Sequence, residues 1–403
     1  MKKIRSQVTL LMIVGLVIFI TISMVLYLHK STFKKYSQQT IKNSQEASLD
    51  SQSVKDFVTG CISNLAKDAV ALLGKQGGYI YRSQGGTLAD YDPTLEGKFF
   101  VKHNGYNVAY NILPFKNRDI PPIYHSEIPD YPWLTFPYET ETSNTELFKG
   151  PIFGFSGMPP LFSGQPHSIQ NQIGTFIDNK ITSCADLSMF ESQGYEVEMF
   201  DSNTTITIGS SDININSIIP IRVTNTLTKQ TFEMREFSSK LDIRLEEIYY
   251  FINRLVDEDT TNITFSIKDA QNNRDSMKVA AYELGHEDLI AIIDEKSLIN
   301  GQPYQYIFAR KNRAPALYYI RPNTLTFDSS KTQIEEADVL SGNTLKAEDP
   351  DEDNYNFRIF IGESGQTEAV FPAPLNQPQM KFRINVSDGD LSDYQIITVN
   401  QQS

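Results

Sequence analysis

The stretch FRINVSDGDLSDYQIITV, residues 382–399, reads as two strands joined by a tight turn. Apolar and polar residues alternate on both sides of the turn, with the apolar positions at Phe382, Ile384, Val386, Ile397 and Val399. A period of two places these side chains on one face of a sheet, and Asp and Gly favour the turn between them. The stretch therefore predicts a half-buried pair of antiparallel strands.

The same rhythm extends back along the chain to Asn312. Short apolar segments are separated by Gly, Asp, Asn and Pro, and no helical period interrupts them. A length of about ninety residues with this spacing is typical of a β-sandwich. We therefore predict that residues 312–403 form a C-terminal Ig-like β-sandwich.

Two further motifs in this region make the prediction more specific. NRAP stands at residues 312–315 and AEDPDEDNYNFRI at residues 347–359. With the opening stretch, they resemble the cadherin-like Ig-fold repeats of prokaryotic surface proteins, whose usual form has a DPDGD turn and a VSDG turn. The resemblance covers the last quarter of the chain, and Glu352 stands where the repeats usually have glycine. It implies a cell-surface role in adhesion.

The acidic turns could hold a metal ion. Asp349, Asp351 and Asp353 alternate in one turn, and Asp388 lies in a hairpin turn that a sandwich could bring near. Calcium takes six to eight oxygen ligands, which carboxylates supply. Some of the similar repeats bind calcium, whereas many keep the turn without a metal. Asp is also common in solvated turns, so both interpretations stay open.

The region before the sandwich, residues 195–311, is predicted to be an α+β domain. Its apolar pattern predicts one helix from about Ser238 to Val256. The predicted strands include 204–208, 218–223, 262–267 and 289–293.

Residues 54–194 are predicted to form a helical domain rich in loops, proline and aromatic residues. Two amphipathic helices are expected, one from Val54 to Leu73 and one following Ser168 as its N-cap. Cys61 and Cys184 lie on their apolar stripes, and we predict that they form a disulfide, although both could be plain core residues. The aromatic segment 106–155 suits either a glycan or peptide recognition surface or a buried core.

The N-terminus carries the most apolar stretch of the chain. Residues 8–28 have no charge and match the roughly 30 Å thickness of a bilayer core. We interpret residues 1–30 as a retained single-pass transmembrane anchor that binds the membrane through residues 8–28, and residues 31–53 as a stalk. Three basic residues on each side leave the orientation undecided by charge.

The N-terminal part, with its anchor and the QGGYI segment after the first helix, also resembles uncharacterised single-span surface proteins of archaea with reduced genomes. That family implies no established activity. The start of the span, residues 5–8, resembles an archaeal prepilin signal, in which processing would leave Gln7 as the new terminus. Leu11 stands where a pilin usually has Glu.

Charge and residue spacing exclude several function classes. The formal net charge is −13, and the first 35 residues carry six basic and no acidic side chains, so the remainder carries −19. Such a surface disfavours nucleic acid. The five histidines show no metal-site spacing, and residues 362–365, GESG, lack the spacing of a nucleophile elbow. The sequons at Asn203, Asn262 and Asn385 are no more numerous than chance allows.

These observations predict a multidomain membrane protein with an N-terminal transmembrane helix, an α+β ectodomain and a C-terminal Ig-like β-sandwich. Its expected role is that of an extracytoplasmic surface protein in adhesion, partner recognition or cell-surface organisation. A surface protein or a glycan is the expected partner. The alternative is a pilin-like subunit of a filament or secretion assembly, and we do not expect an enzyme.

Overall fold

A computed structural model describes residues 51–90, 99–114, 153–165 and 167–402. The predicted anchor, residues 8–28, lies outside the described residues, as do most of the predicted stalk and much of the aromatic segment. In the described part, β-strands predominate over helices. The helices are α1 Ser51–Lys75, α2 Ile169–Cys184, α3 Ser188–Glu191, α4 Leu245–Thr261 and α5 Glu336–Val339.

The strands fall into three groups along the chain. The strands up to β10 are β1 Phe100–His103, β2 Tyr106–Leu113, β3 Phe155–Ser156, β4 Tyr195–Met199, β5 Asn203–Ile208, β6 Ile213–Asn225, β7 Thr231–Leu241, β8 Met277–Leu284, β9 Glu287–Ile299 and β10 Gln302–Arg310. The later strands are β11 Ala316–Leu317, β12 Thr324–Phe327, β13 Gln333–Ile334, β14 Ala347–Glu348, β15 Asn356–Ile361, β16 Thr367–Glu368, β17 Ala373–Pro374, β18 Gln379–Ser387 and β19 Ser392–Gln401.

The first sheet has the strand order β1-β2-β10-β9-β8, with β3 paired to β2. Strand β10 runs parallel to β2, with Ala309 opposite Tyr110. This pairing joins strands from both sides of the predicted boundary at residues 194 and 195. The boundary therefore does not separate two sheets, because sequence periodicity reports which face of a strand is buried but not which strand it pairs with.

The second sheet is built around the long strand β6. Strand β7 pairs along one edge of β6, while β5 and β4 follow each other along the opposite edge. Helix α2 packs against β5, and Gly174 allows close approach, because a Cβ there would lie 2.9 Å from the carbonyl oxygen of Thr204. The predicted Ser168 N-cap is present, with its hydroxyl accepting from the backbone N–H of Asn171.

Two sequence predictions in this region are wrong. The residues from Ser238 to Leu241, which were predicted as helix, belong to β7, and helix α4 begins at Leu245. Residues 262–267, which were predicted as a strand, form turns after α4. The Asn262 side chain accepts a hydrogen bond from the backbone N–H of Thr264, a local turn that replaces strand pairing.

The C-terminal region has the sandwich-like arrangement that its rhythm predicts. One sheet has the order β12-β19-β18-β15-β16, and two short ladders, β11-β14 and β13-β17, complete the layer structure. Strands β18 and β19 form the predicted hairpin, with Phe382 opposite Ile397 and Met380 opposite Val399. The predicted inward positions are fully buried, namely Phe382, Ile384, Val386, Ile397 and Val399.

Cys61 and Cys184 form a disulfide that joins α1 to the end of α2, with their Cα atoms 5.8 Å apart. The pairing agrees with the sequence prediction. The apolar stripe of α1 from Val58 to Leu73 is buried, so this helix is part of a core. Among the described residues, Gln52–Lys75 is also the one helix long and apolar enough to cross a membrane. Its buried stripe and disulfide are typical of a core helix.

Candidate functional site

A buried cluster of charged side chains lies where the sandwich-like region meets the rest of the chain. We call it the junction network, and its members are Asp259 on α4, Asp288 on β9, Arg310 at the end of β10, Arg313 and Asp351. All five residues are at most 5% exposed. Buried charges are uncommon in proteins, and they occur almost only where they are paired.

Arg313 makes the most contacts in the network. Its Nε and Nη2 donate to Asp351 Oδ1 at 3.0 and 2.8 Å, and Nη2 also donates to the carbonyl oxygen of Pro350 at 2.8 Å. Nη1 donates to the carbonyl oxygens of Phe153 and Asp259, both at 3.0 Å. The five N–H donors of the guanidinium therefore all have acceptors. An arginine with all its donors satisfied in three separate segments holds those segments in one geometry.

Arg310 makes a second set of links between the same segments. Its Nη1 lies 3.0 Å from Asp259 Oδ1, and its Nε and Nη2 both donate to Asp288 Oδ2. Its Nη2 also donates to the carbonyl oxygen of Asp351 at 3.1 Å. Asp259 is thus shared, since its Oδ2 lies 2.7 Å from Arg313 Nη2, although that contact lacks hydrogen-bond geometry.

The charges in the network are balanced. Burial by itself lowers the pKa of Arg310, but the nearby Asp351, Asp259 and Asp288 carboxylates outweigh burial and raise it. The pKa of Arg313 is raised in the same way, with burial opposed by Asp259 and Asp351. Both arginines are therefore charged at neutral pH. Lys268 lies 3.2 Å from Asp288 and brings the count to three cations and three carboxylates.

Asp351 is one of the four residues predicted to bind calcium, and the structure places it in the junction network. Both carboxylate oxygens are used, because Oδ2 accepts the backbone N–H of Arg313 at 2.6 Å and Oδ1 accepts its guanidinium. In this arrangement Asp351 is an ion-pair partner of arginine. The sequence placed it correctly among buried acidic side chains, but could not show that arginines from another segment face it.

The other three predicted ligands lie around the edge of the network. Asp349 Oδ1 accepts the backbone N–H groups of Asp351 and Asp353, at 2.8 and 3.1 Å. Asp353 Oδ2 lies 3.3 Å from His286 Nδ1. Asp388 Oδ2 accepts the side-chain amide of Asn312 at 3.1 Å, while its Oδ1 accepts backbone N–H groups within its own turn.

Two oxygens beside the network have no hydrogen-bond partner. They are Asp349 Oδ2 and Asn312 Oδ1, and both residues are less than 8% exposed. Orphaned buried oxygens are uncommon and favour a cation or a proton. No three of the described His, Cys, Asp and Glu side chains, however, are arranged to hold one metal ion. The donor types fit calcium, whereas their present spacing does not.

A cleft of about 350 Å³ opens beside these residues. The apolar part of its lining comes from proline, phenylalanine, alanine and leucine, and the polar part includes Glu287 and Lys311. Burial raises the pKa of Glu287, whose Oε2 accepts the Tyr110 hydroxyl at 2.6 Å. The lining residues are Pro114, Phe153, Glu287, Lys311, Asn312, Arg313, Ala314, Pro350, Asp390, Leu391 and Ser392.

Sequence reasoning missed the arginine side of the network, although two signals were present. Asp259 follows Leu245, Ile248, Ile252 and Leu255 at spacings of three and four, which puts a carboxylate on the buried stripe of α4. Arg310 directly follows the apolar end of β10. A charge at a core position predicts a buried partner of opposite sign.

Burial affects the protonation of Asp349. Burial and the adjacent Asp351 raise the pKa of Asp349 to about 7, compared with about 3.9 for an unfolded aspartate. The folded chain therefore holds this proton more tightly. The resulting contribution to stability is complete below about pH 4 and is lost as the pH rises to about 7.

Asp349→Asn mimics the protonated state and removes this loss. In a chelator at pH 8, we expect the variant to be more stable than the wild type by about 1 to 3 kcal/mol, with little difference at pH 4. Urea unfolding at the two pH values measures this. Asp201→Asn, at an exposed position, is the control and should change neither value. Equal destabilisation by Asp349→Asn at both pH values would contradict the raised pKa.

Comparison with known proteins gives little further information. No protein-family model and no curated protein matches the sequence. A crystal structure of Drosophila N-cadherin EC1-4 is similar over 52% of this chain and 67% of that chain, at 10% identity and a TM-score of 0.16. The TM-score is too low to define a common arrangement. The N-terminal resemblance to archaeal surface proteins has no counterpart in these comparisons and stays a prediction.

Proposed function

We propose that this protein is a membrane-anchored, extracytoplasmic surface protein that acts in adhesion, partner recognition or cell-surface organisation. The observation that carries the location is the Cys61–Cys184 disulfide, because such bonds persist in oxidising compartments and are rare in the cytosol. The uncharged segment 8–28 supplies the anchor in this proposal, and residues after about 53 form the ectodomain.

The proposed role is binding or structural rather than catalytic. Strongly charged groups near the cleft are engaged in ion pairs, as Arg313 and Asp351 show, and such groups hold segments together. We propose that residues 312–402 are an Ig-like, cadherin-like module that the junction network fixes to the preceding sheet. A fixed module would present its outer loops to a surface protein or a glycan without losing orientational freedom on binding.

Membrane fractionation tests the anchor. The full chain is expected to stay with the membrane after a high-salt wash, because residues 8–28 bury an apolar span that salt does not weaken. A chain lacking residues 1–35 should be soluble, since its net charge is −19. If the truncated chain sediments with washed membranes, a single N-terminal anchor is wrong. If the full chain begins at Gln7 when sequenced, the pilin-like alternative is favoured.

A second proposal concerns calcium, and the orphaned oxygens of Asp349 and Asn312 favour it. We infer that Asp349, Asp353 and Asp388 bind the ion after a local rearrangement, with Asn312 Oδ1 as a further ligand and with Asp351 kept by Arg313. Calcium would supply positive charge that offsets the repulsion between these carboxylates.

Thermal unfolding with calcium and with chelator tests this proposal. At a calcium concentration of 100 times the dissociation constant, linkage predicts about 2.7 kcal/mol of added stability. Asp388→Asn should abolish the difference, whereas the matched variant Asp328→Asn, in a turn of the same region, should keep it. An unchanged midpoint at millimolar calcium would show that these residues are ordinary turn formers.

A further inference from the structure

Three asparagines of this chain lie in N-x-Ser/Thr sequons, and the structure distinguishes them. Asn262 is exposed and follows the last residue of α4, whereas Asn203 and Asn385 lie within strands. The sequon by itself is a weak signal, because it occurs by chance in chains rich in Asn, Ser and Thr. The backbone and side-chain geometry around each asparagine therefore carries the distinction.

Asn262 is held in a side-chain turn by its own sequon. Its Oδ1 accepts the backbone N–H of Thr264 at 3.1 Å and the Thr264 hydroxyl at 2.9 Å. Its carbonyl oxygen accepts the backbone N–H of Phe265 at 3.0 Å, and Ile263 packs against the core beside it. The turn is therefore fixed, and the Nδ2 amide is left without a hydrogen bond among the described residues. This arrangement presents Nδ2 on the surface at the end of a helix.

The other two sequons lack this arrangement. Asn385 lies in β18, the central strand of its sheet, opposite Arg358 on one side and Tyr394 on the other. Its Oδ1 accepts a hydrogen bond from Arg383. Asn203 lies in β5 opposite Ile218, with its backbone extended in the ladder. A strand paired in this way cannot fold its asparagine back onto the following residues without losing ladder hydrogen bonds.

We propose that Asn262 carries an N-linked glycan and that Asn203 and Asn385 do not. The proposal rests on the extracytoplasmic location proposed above, because the transfer requires a membrane-bound oligosaccharyltransferase and a lipid-linked oligosaccharide. In the transfer, a bond forms between Nδ2 and the first sugar carbon, and the bond from that carbon to the lipid phosphate oxygen breaks. The lipid phosphate leaves with the electron pair, and the Nδ2 proton passes to a base of the transferase.

The two donors on Asn262 Oδ1 favour this chemistry. They draw electron density toward the oxygen, which makes the amide N–H more acidic and eases loss of its proton as the new bond forms. The Thr264 hydroxyl is one of the two donors, so its removal should matter even though the asparagine remains. A Thr264→Ser change keeps the hydroxyl and is the matched control for Thr264→Ala.

Mass spectrometry of the protein purified from its own cells tests the proposal. Trypsin separates the three sequons into the peptides Leu255–Lys268, Ile181–Arg222 and Ile384–Ser403. We expect a glycan on Leu255–Lys268 and on neither of the other two. Thr264→Ala should reduce the glycosylated fraction of that peptide at least tenfold, and Thr264→Ser should retain it.

The opposing results are equally definite. An unmodified Leu255–Lys268 peptide, or a glycan on either of the other two peptides, overturns the proposal. Labelling of intact cells with a membrane-impermeant reagent runs in parallel and reports the location. If the protein is labelled and Asn262 is bare, the glycan inference alone is wrong. If the protein is not labelled and Asn262 is bare, both the inference and the proposed location are wrong.

Discussion

Replacing Arg313 by alanine is expected to lower the free energy of unfolding by about 3 to 5 kcal/mol. The change removes a guanidinium that is 3% exposed and leaves the Asp351 and Asp259 carboxylates buried without it. It also leaves the carbonyl oxygens of Phe153 and Pro350 without this donor. The large effect comes from these unpaired groups, because the net contribution of an intact buried ion pair is small.

Urea unfolding of the chain lacking residues 1–35 measures this effect. Arg235→Ala is the matched control, because Arg235 is 69% exposed and lies 3.6 Å from one carboxylate, so its loss should change stability by less than about 0.5 kcal/mol. Arg313→Lys keeps the charge but not the five-donor fork, so an intermediate loss is expected. Equal stability of Arg313→Ala and Arg235→Ala would show that the network does not hold the junction.

The double change Cys61→Ser and Cys184→Ser is expected to be similarly damaging. The bond closes a loop with a sequence separation of 123, for which the chain-entropy model gives about 4 to 5 kcal/mol, while losses of 2 to 5 kcal/mol are typical of native disulfides. Helices α1 and α2 would keep their apolar contacts, but the unfolded chain would gain conformational freedom.

Thermal unfolding with and without reductant provides the measurement. The wild type should lose stability in reductant, whereas the double variant should be insensitive to it. Cys61→Ala with Cys184→Ala separates the lost bond from the burial of two serine hydroxyls. If reduction leaves the midpoint of the wild type unchanged, the disulfide contributes nothing to stability and the main structural argument for an oxidising compartment is weakened.

Local patterns predicted the elements that depend on local physics. Alternation at Phe382, Ile384 and Val386 predicted the inward face of β18, and helical spacing with the Ser168 cap predicted α2. These signals are local because a single face meets a single core. Helix α4 was placed too early for the same reason, since residues 238–241 fit a helical stripe as well as the strand they form against β6.

Long-range pairing could not be read from the sequence. The parallel contact of β2 with β10 joins residues about two hundred positions apart, and nothing in either strand specifies its neighbour. The junction network is of the same kind, because Arg313 reaches Phe153, Asp259 and Asp351 from three distant segments. The acidic turn was visible as a cluster of carboxylates, but calcium and arginine satisfy carboxylates equally well at the level of sequence.

Surface labelling of intact cells tests the proposed extracytoplasmic location most directly. Lys240 and Lys278 have side chains that are 55% and 58% exposed, so a membrane-impermeant amine reagent can reach them wherever the ectodomain faces the outside. We predict that peptides containing these lysines are labelled in intact cells to the same extent as in lysed cells. Labelling that appears only after lysis would place residues 52–402 inside the cell and contradict the proposed location.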